Sequence, residues 1–255
     1  MRRKFFTQFQ NALYNNKKTH PLISTLFGGA MILPTATDLF DLSHTLAGEY
    51  LLGFDSPHEA LSGIKNFITE LSKTLSHDEY DEVSEGVFIA KDATVAQNVT
   101  ILPPTVIGHR TEIRPGAFIR GSVLIGDDAV IGNSTEIKNA IIFDCAQLPH
   151  YNYVGDSVMG YRSHLGAGAI ISNFKLDHKS VNIRSGEEKI DTGLRKFGAI
   201  VGDFTEAGCG SVIFPGTIIG RSCLIYPLSP VRGILPEKSI FHTDGQITER
   251  KDDQA

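Results

Sequence analysis

Residues 87–143 read VFIAKDATVAQNVTILPPTVIGHRTEIRPGAFIRGSVLIGDDAVIGNSTEIKNAIIF, and an apolar residue returns at every sixth position. The series is Ile89, Val95, Ile101, Ile107, Ile113, Ile119, Ile125, Ile131, Ile137 and Phe143. A small or β-branched residue, such as Thr105 or Ala117, stands two positions before each. This period fits neither an α-helix nor a single strand, but it is typical of the hexapeptide repeats of a parallel β-helix. We therefore predict a mainly β protein, a left-handed parallel β-helix in which three hexads form each coil and the repeated apolar residues stack inside.

The repeat predicts a solenoid over residues 81–241 with two interruptions. The rhythm resumes at Met159 and again from Val201 to Val231. The first interruption is a phase slip at 148–150, where proline takes the sixth position. The second is residues 174–196, FKLDHKSVNIRSGEEKIDTGLRK, which lack the hexad and carry several charges. A polar insertion between two regular coil sections is expected to project as a loop, where solenoids build binding surfaces.

The two ends of the chain lack the repeat. Residues 1–80 contain apolar residues at three- and four-residue steps after Asp38, which can cap one helix, and after Pro57, which can open another. We expect this helical region to form an N-terminal α-helical cap over the open end of the solenoid, where unpaired strand edges would otherwise be exposed. Residues 242–255 form a polar C-terminal tail that we expect to be frayed.

Composition excludes several classes of function. The 255-residue chain has a net charge of -5, which gives no broad basic surface, so nucleic acid is not an expected partner. Its three cysteines are odd in number and show no metal-ligand spacing, which predicts a reduced cytoplasmic protein without a metal site. The apolar stretch 21–34 is shorter than the roughly 20 residues that a membrane-spanning helix needs. A peripheral membrane contact through Phe5, Phe6 and Phe9 is the alternative that we keep for the N-terminus.

Three cations occupy positions where the hexad favours a small residue. Arg114, Arg120 and Lys138 each follow an inward aliphatic residue directly. Because 18 residues, one coil, separate Arg120 from Lys138, the two should stack on the same edge. Neighbouring cations repel unless an anion lies between them, and a phosphate would serve. The alternative is that all three are solvated residues of the rim.

His150 lies in the segment PHYNYVGD at the first interruption. A break in the coil would lift the imidazole out of the repetitive wall, and histidine titrates in the range that suits a general base near neutral pH. The alternative reading is a structural histidine held by hydrogen bonds.

Four segments, TEIKNA, PHYNYVGD, HLGAGAIISN and RKFGAIVGD, fall in this order over residues 135–203. In order and spacing they resemble the C-terminal half of the bifunctional bacterial uridyltransferase and glucosamine-1-phosphate acetyltransferase, a left-handed β-helix that works as a homotrimer. The helical preface is similar to that of short stand-alone pyrophosphorylase-related proteins. No segment resembles the uridyltransferase half.

The resemblance implies an acetyl-CoA-dependent N-acyltransferase that acts on an amino-sugar phosphate such as glucosamine 1-phosphate, without a metal. His150 would be the base. Residues that would bind the sugar phosphate are Lys138, Tyr153, Asn173, Lys196 and either Arg114, favoured by the local motif, or Arg120, favoured by the coil spacing. The coenzyme would contact Ala167 and Cys209, the latter aligned with a serine of the family.

Three departures from the family keep other functions open. Phe174 replaces a tyrosine, His164 replaces an asparagine of the sugar and coenzyme site, and the 174–196 insertion is longer. A non-catalytic protein that binds a sugar phosphate or nucleotide sugar is the alternative function. A γ-type carbonic anhydrase is disfavoured, because His109, His150 and His164 do not include that family's close histidine pair.

Overall fold

The structure, a computed structural model, describes residues 32–251 and confirms the parallel β-solenoid, with about nine turns. Each coil contributes one short strand to each of three faces, and equivalent strands of successive coils pair in parallel. The left-handed sense of the coil stays a prediction of the hexad pattern. Most of the apolar stretch 21–34 and all of Phe5, Phe6 and Phe9 lie outside the described residues.

Face 1 is the longest row of parallel strands. Its members are β2 (Val87–Ala90), β5 (Thr105–Ile107), β8 (Val123–Ile125), β10 (Glu136–Ile142), β12 (Tyr153–Met159), β17 (Ala199–Val201), β20 (Thr217–Ile219) and β23 (Ile234–Leu235). Strands β10 and β12 are longer than the rest because each begins on face 3 and continues onto face 1.

Face 2 and face 3 complete the prism with the same parallel pairing. Face 2 contains β3 (Thr94–Val95), β6 (Glu112–Ile113), β9 (Val130–Asn133), β11 (Gln147–His150), β13 (His164–Leu165), β18 (Glu206–Ala207), β21 (Leu224–Ile225) and β24 (Ser239–Phe241). Face 3 contains β4 (Thr100–Ile101), β7 (Phe118–Ile119), the first residues of β10 and β12, β14 (Ile170–Ile171), β19 (Val212–Ile213) and β22 (Pro230–Val231).

The interior contains the predicted ladder of aliphatic residues, and the small residues of the repeat lie next to it. The ladder residues from Ile107 onward are almost completely buried, and each buried isoleucine contributes about 1.5–3 kcal/mol relative to exposure. The small positions carry hydroxyls that satisfy interior carbonyl groups: Thr111 donates to the carbonyl of Gly126 at 2.7 Å, and Thr205 to that of Gly220 at 2.9 Å. The small residues therefore keep the backbone satisfied without water inside the coil.

The predicted ladder is wrong at its last member. Ile142, not Phe143, pairs with Ile125 and faces the interior, so the register steps by five residues after Ile137. Phe143 instead packs against Phe40 of the N-terminal region, with ring centroids 4.9 Å apart. The phase slip predicted at 148–150 therefore begins earlier, because β10 turns from face 3 to face 1 with one residue fewer than the preceding coils.

The N-terminal region forms short helices that cover face 1, not the open end of the solenoid. They are α1 (Ala36–Leu39), η1 (Leu42–His44), α2 (Gly48–Leu52), η2 (Pro57–Gly63) and α3 (Ile64–Ser72). Helix α3 packs on β5, β8 and β10, and η2 packs on β12 and β17. Pro57 opens its helix as predicted, but Thr35 is the cap of α1 and Asp38 is its capping-box partner.

Antiparallel strands close the two ends of the solenoid. Strand β1 (Tyr80–Ser84) pairs with β2, and β25 (Ile247–Glu249) pairs with β24. The C-terminal tail is therefore ordered up to at least Glu249, where we expected fraying. The 174–196 insertion also differs from the predicted loop: its strands β15 (Asn182–Ser185) and β16 (Glu188–Asp191) form a hairpin that packs on β20 and β23. Its Ile183 side chain is fully buried.

A buried carboxylate fastens the helical region to the solenoid. Asp203 is fully buried and accepts hydrogen bonds from the backbone N–H groups of Asp41 and Tyr161, at 2.6 and 2.8 Å. The Arg221 guanidinium donates to the same carboxylate at 2.7 Å. Three N–H donors thus compensate this carboxylate for the water that burial removes.

A second carboxylate of this interface is not compensated in the same way. The backbone N–H of Asp144 donates to the carbonyl of His44 at 3.1 Å, and Asp144 Oδ1 accepts from the Asp127 backbone at 2.8 Å. Burial raises the pKa of the Asp144 carboxyl to about 6. The folded state therefore favours the protonated form more than the unfolded state does.

This pKa predicts a pH dependence of stability. The contribution of Asp144 is fully present below the unfolded pKa near 3.8 and is lost as the pH rises through about 6. In Asp144→Asn, the free energy of unfolding relative to wild type should rise by about 2 kcal/mol between pH 4 and pH 7, measured by urea titration. Exposed Asp128, whose pKa is lowered by its hydrogen bond from Arg110, provides the control, because Asp128→Asn should show a small change of opposite sign. An identical pH dependence in wild type and Asp144→Asn would contradict the assignment.

Candidate functional site

A groove of about 500 Å³ lies where face 2 turns into face 3. We name it the His150 groove, and its lining residues are Arg114, Val130, Gln147, Pro149, His150, His164, Gly166, Ala167 and Cys209. They come from successive coils that stack in register. The groove therefore exists because residues of equal phase in the repeat lie side by side.

His150 is exposed in this groove. Its backbone is fixed: the N–H donates to Asn152 Oδ1 at 3.1 Å, and its carbonyl accepts from Gly168 at 3.0 Å. Within residues 32–251, the His150 ring has no hydrogen bond, ion pair or ring contact. The imidazole is therefore outside the packed interior and available to accept a proton from a bound molecule.

Ala167 and Cys209 occupy the positions that correspond to His150 in the following coils. The backbone hydrogen bonds that link them are Gly168 N–H to the His150 carbonyl, at 3.0 Å, and Gly210 N–H to the Ala167 carbonyl, at 2.9 Å. Cys209 is exposed. The predicted base and the two predicted coenzyme contacts therefore share one groove.

An imidazole–carboxylate pair, absent from the sequence predictions, adjoins the His150 groove through His164. His164 Nδ1 is 2.8 Å from Glu206 Oε2, and the two residues are register partners in β13 and β18. His164 also lines a second groove of about 470 Å³, with Asp128, Cys145, Gln147, Arg162 and Glu206. Gln147 and His164 are common to both grooves, so the two depressions join across face 2.

The residues predicted to bind phosphate and sugar gather at another place, the corner between face 3 and face 1. We name this cluster the clamp corner; it contains Arg120, Lys138, Tyr153 and Asn173. Tyr153 and Asn173 both approach Gly155, where an added Cβ would lie 2.7 Å from the Tyr153 hydroxyl and 2.5 Å from the Asn173 amide nitrogen. Burial raises the pKa of the Tyr153 hydroxyl, which keeps this group a hydrogen-bond donor.

Asp156 organises the clamp corner and is only 5% exposed. Its carboxylate accepts a short hydrogen bond from the Asn173 amide and another from Asn139 at 2.9 Å, and it lies 3.7 Å from Lys138 Nζ. Asn139 also donates to the carbonyl of Leu61 in η2, at 3.1 Å. The helical region thus supports the clamp corner directly.

The structure corrects the argument that the stacked cations need an external anion. Arg120 and Lys138 are adjacent in successive coils, as predicted, because Ile119 and Ile137 are register partners. Each cation already has a carboxylate of its own, since Arg120 donates to Glu136 at 2.6 Å and Lys138 lies beside Asp156. Phosphate binding at this corner therefore remains a proposal, not a requirement of charge balance.

The remaining predicted ligands are divided between the two places. Lys196 is exposed and directly precedes Phe197, whose backbone N–H donates to the Asn173 carbonyl at 3.0 Å, so it adjoins the clamp corner. Arg114 lines the His150 groove and donates to Glu112 at 3.0 Å. The two arginines that the sequence left as alternatives are thus at different sites.

Among residues 32–251, no helix is long and apolar enough to cross a membrane. The same part of the chain contains no group of three His, Cys, Asp or Glu side chains arranged to hold a metal ion.

A protein family described as the GMPPB C-terminal domain matches residues 101–244. The chain belongs to this family. The matched region contains both grooves and the clamp corner, so every site residue named above lies within the GMPPB C-terminal domain family match.

Curated relatives of this family member include two archaeal proteins. The bifunctional sugar-1-phosphate nucleotidylyltransferase/acetyltransferase of Sulfurisphaera tokodaii is 36% identical over 141 residues, which cover 55% of this chain and 35% of that protein. The bifunctional protein GlmU of Methanococcus maripaludis is 32% identical over 171 residues, or 66% of this chain and 41% of that protein. The chain therefore spans less than half of the length of either relative.

Solved structures with similarity to the chain include two proteins. PerB from Caulobacter crescentus, in complex with CoA and GDP-perosamine, has 20% identity and a TM-score of 0.34, covering 64% of this chain and 56% of that chain. A mutant of the N-acyltransferase AntD from Bacillus cereus, with dTDP and coenzyme A, has 16% identity and a TM-score of 0.37, covering 68% and 92%.

Sequence reasoning missed Glu206 and Asp156. His164 and Glu206 each stand directly before an inward ladder residue, Leu165 and Ala207, and this shared phase was a usable signal. The insertion conceals it, because 42 residues separate the pair along the chain. Asp156 was quoted in PHYNYVGD, but no pattern indicated that it would be buried against two amides.

The exposure of Cys209 in the His150 groove predicts which cysteine reacts first. Cys209 is exposed, whereas burial raises the pKa of the Cys145 and Cys223 thiols, and the thiolate is the reactive form. Iodoacetamide should therefore label Cys209 first, as located by peptide mass spectrometry, and desulfo-coenzyme A should slow this labelling if the coenzyme lies along the groove. The control is Cys209→Ser, which should lose the fast-reacting site. Labelling at an unchanged rate under saturating desulfo-coenzyme A would reject the groove as the coenzyme site.

Proposed function

We propose that this chain is an acetyl-CoA-dependent N-acetyltransferase whose acceptor is an amino-sugar phosphate such as glucosamine 1-phosphate. Membership of the GMPPB C-terminal domain family supports this, as does the word acetyltransferase in the name of the Sulfurisphaera tokodaii relative. The observation that carries the proposal is the exposed imidazole of His150, which has no partner within the described range 32–251 and shares one groove with Ala167 and Cys209. Free cysteines are compatible with a cytoplasmic site for this reaction.

In this mechanism, the amine of the sugar attacks the thioester carbonyl carbon directly. His150 takes a proton from the amine nitrogen as the C–N bond forms, so no covalent enzyme intermediate is needed. The pantetheine arm would run past Ala167 and Cys209, which places the thioester beside His150. The attack therefore requires only that the two substrates are positioned correctly and that one base accepts the proton.

The clamp corner would hold the phosphate and sugar of the acceptor. Tyr153 and Asn173 offer a hydroxyl and an amide for sugar hydroxyl groups, and Arg120 with Lys138 offers two adjacent cations for phosphate. Asp156 fixes Lys138 and Asn173 in place before the acceptor binds. Arg114, in the other groove, is the alternative phosphate ligand.

A homotrimer would bring the two places together. His150 and Gly155 border the same stretch of face 3 and are five residues apart, which is about 15 Å in extended chain. One chain thus presents the base and the clamp corner at opposite edges of one face. In a cyclic homotrimer, the His150 groove of one subunit would meet the clamp corner of its neighbour, and the acceptor would bind in the cleft between them.

The first test is His150→Ala. Loss of a general base should lower kcat for acetyl transfer to glucosamine 1-phosphate by about 10²–10⁴-fold, measured by release of free coenzyme A. His109 is paired with Asp92 and lines neither groove, so His109→Ala is the control histidine substitution and should keep full activity. Full activity in His150→Ala would refute its role as base. Binding of the sugar phosphate in calorimetry without any turnover by wild type would favour the non-catalytic alternative.

The second test asks whether neighbouring chains share the site. His150→Ala and Lys138→Ala should each be inactive alone. If each site combines His150 from one chain with Lys138 from the next, mixing the two variants during refolding should restore about one quarter of the sites. Activity that stays at the level of the separate variants would place both residues in the site of a single chain, and sedimentation analysis would report the oligomeric state directly.

A further inference from the structure

His164 and Glu206 form the one imidazole–carboxylate pair that faces the His150 groove within residues 32–251. The distance from His164 Nδ1 to Glu206 Oε2 is 2.8 Å, and both side chains remain partly exposed. A purely structural pair would not need to lie in a groove. His164 lines both depressions of face 2 and occupies the point where they join.

The carboxylate determines which nitrogen of His164 can transfer a proton. An ionised carboxylate only accepts hydrogen bonds, so Nδ1 must carry the hydrogen that points to Glu206. Nε2 is thereby left as the nitrogen that can exchange a proton with a bound molecule. The neighbouring carboxylate also stabilises the positive charge of an imidazole that holds a proton on both nitrogens. Among the side chains of residues 32–251, His150 has no such partner.

The coils place this pair beside the predicted coenzyme path. His164 belongs to the same coil as Ala167, and Glu206 to the same coil as Cys209. His150 belongs to the preceding coil, since Gln147 and His164 are register partners. The other ionisable groups that line the two grooves are Asp128, Cys145, Arg162 and Arg114. No other imidazole of the described residues lines either groove, so the two histidines are available for two separate proton transfers.

We propose that His164 is the general acid that protonates the coenzyme thiolate as it leaves, and that Glu206 positions His164 for this step. This inference rests on the proposed acetyltransferase function. The C–N bond forms as the amine attacks, and the C–S bond breaks with its electron pair on sulfur. His150 removes one proton from nitrogen, and His164 Nε2 gives one proton to sulfur. The products are the N-acetyl sugar and coenzyme A, and solvent returns the two imidazoles to their starting states.

A general acid at this place would help the coenzyme thiolate to leave. An alkyl thiol has a pKa of about 8.5, so its thiolate departs into neutral water more readily when a proton is delivered to it. An aromatic thiol is far more acidic and leaves without help. The activity of a variant without the acid should therefore depend on the thiol of the acetyl donor.

The experiment compares two acetyl donors with glucosamine 1-phosphate as acceptor. In His164→Ala, kcat with acetyl-CoA should fall by about 100-fold, the ordinary effect of losing a proton-transfer group. With S-acetyl-thionitrobenzoate, whose thiolate needs no proton, the loss should shrink to a few-fold. His150→Ala should lose similar activity with both donors, because the amine requires its base in either case. Glu206→Gln keeps a hydrogen-bonding group without the charge, so it should show a smaller loss with the same dependence on donor.

The matched control is His109→Ala, which breaks an imidazole–carboxylate pair of the same 2.8 Å length outside the grooves and should match wild type with both donors. Circular dichroism melting verifies that each variant is folded, and Glu206→Gln decides the question if His164→Ala is not folded. If the wild-type enzyme is active and the His164 variant loses equal activity with the two donors, or none, the role of His164 as the acid is overturned. The proposed acetyltransferase function would stand. A wild-type chain that acetylates no amino-sugar phosphate would overturn the proposed function, and the inference with it.

Discussion

Parallel pairing of one coil on the next is the constraint from which the rest of this structure follows. Every residue of a regular coil lies directly beside the residue 18 positions away, and the interior has room only for one aliphatic side chain per face. The stacked aliphatic residues are held by burial of about 25 cal/mol per Å² of apolar surface, which no polar substitute supplies. Outward side chains of equal phase are consequently forced into rows. The candidate site consists of such rows: His150, Ala167 and Cys209 in one, and Arg120 and Lys138 in another.

The ladder also explains where the coil can shorten. Both β10 and β12 step five residues from one inward residue to the next, from Ile137 to Ile142 and from Val154 to Met159. The interior row is preserved at the cost of the outer corner, which loses one residue in two successive coils. Asp156 is placed by this shortening at a tight corner, where it meets the amides of Asn139 and Asn173. The clamp corner thus exists at the one place where the repeat is irregular in consecutive coils.

The sequence predicted the solenoid, the ladder up to Ile137 and the stack of Arg120 on Lys138, because each depends only on a fixed period. It did not predict Ile142 as the next inward residue, since Ile141, Ile142 and Phe143 are all apolar and a local pattern cannot choose among them. Phe143 was misassigned because its partner, Phe40, lies in a segment without the repeat. His150, Ala167 and Cys209, which the sequence predicted as the base and the coenzyme contacts, share one groove, while their roles stay predictions. The His164–Glu206 pair was missed because the insertion interrupts the period that would have aligned the two residues.

The position of the helices was predictable from a signal in the middle of each face 1 strand. The central, outward residue of these strands is apolar in coil after coil, and all of these side chains are at most 1% exposed: Val106, Leu124, Ile141, Val158, Ile200 and Ile218. An apolar outer row requires a cover, whereas the equivalent rows of faces 2 and 3 are interrupted by polar residues such as Glu112, Gln147 and Glu136. Helices α3 and η2 cover the first part of the row, and the hairpin of the insertion packs on its last strands. The two segments that lack the repeat, the N-terminal helices and the hairpin of the insertion, therefore both cover face 1. Since both pack on face 1, neither of these two segments covers the grooves of face 2 or the outer surface of face 3 in the described part of the chain, 32–251.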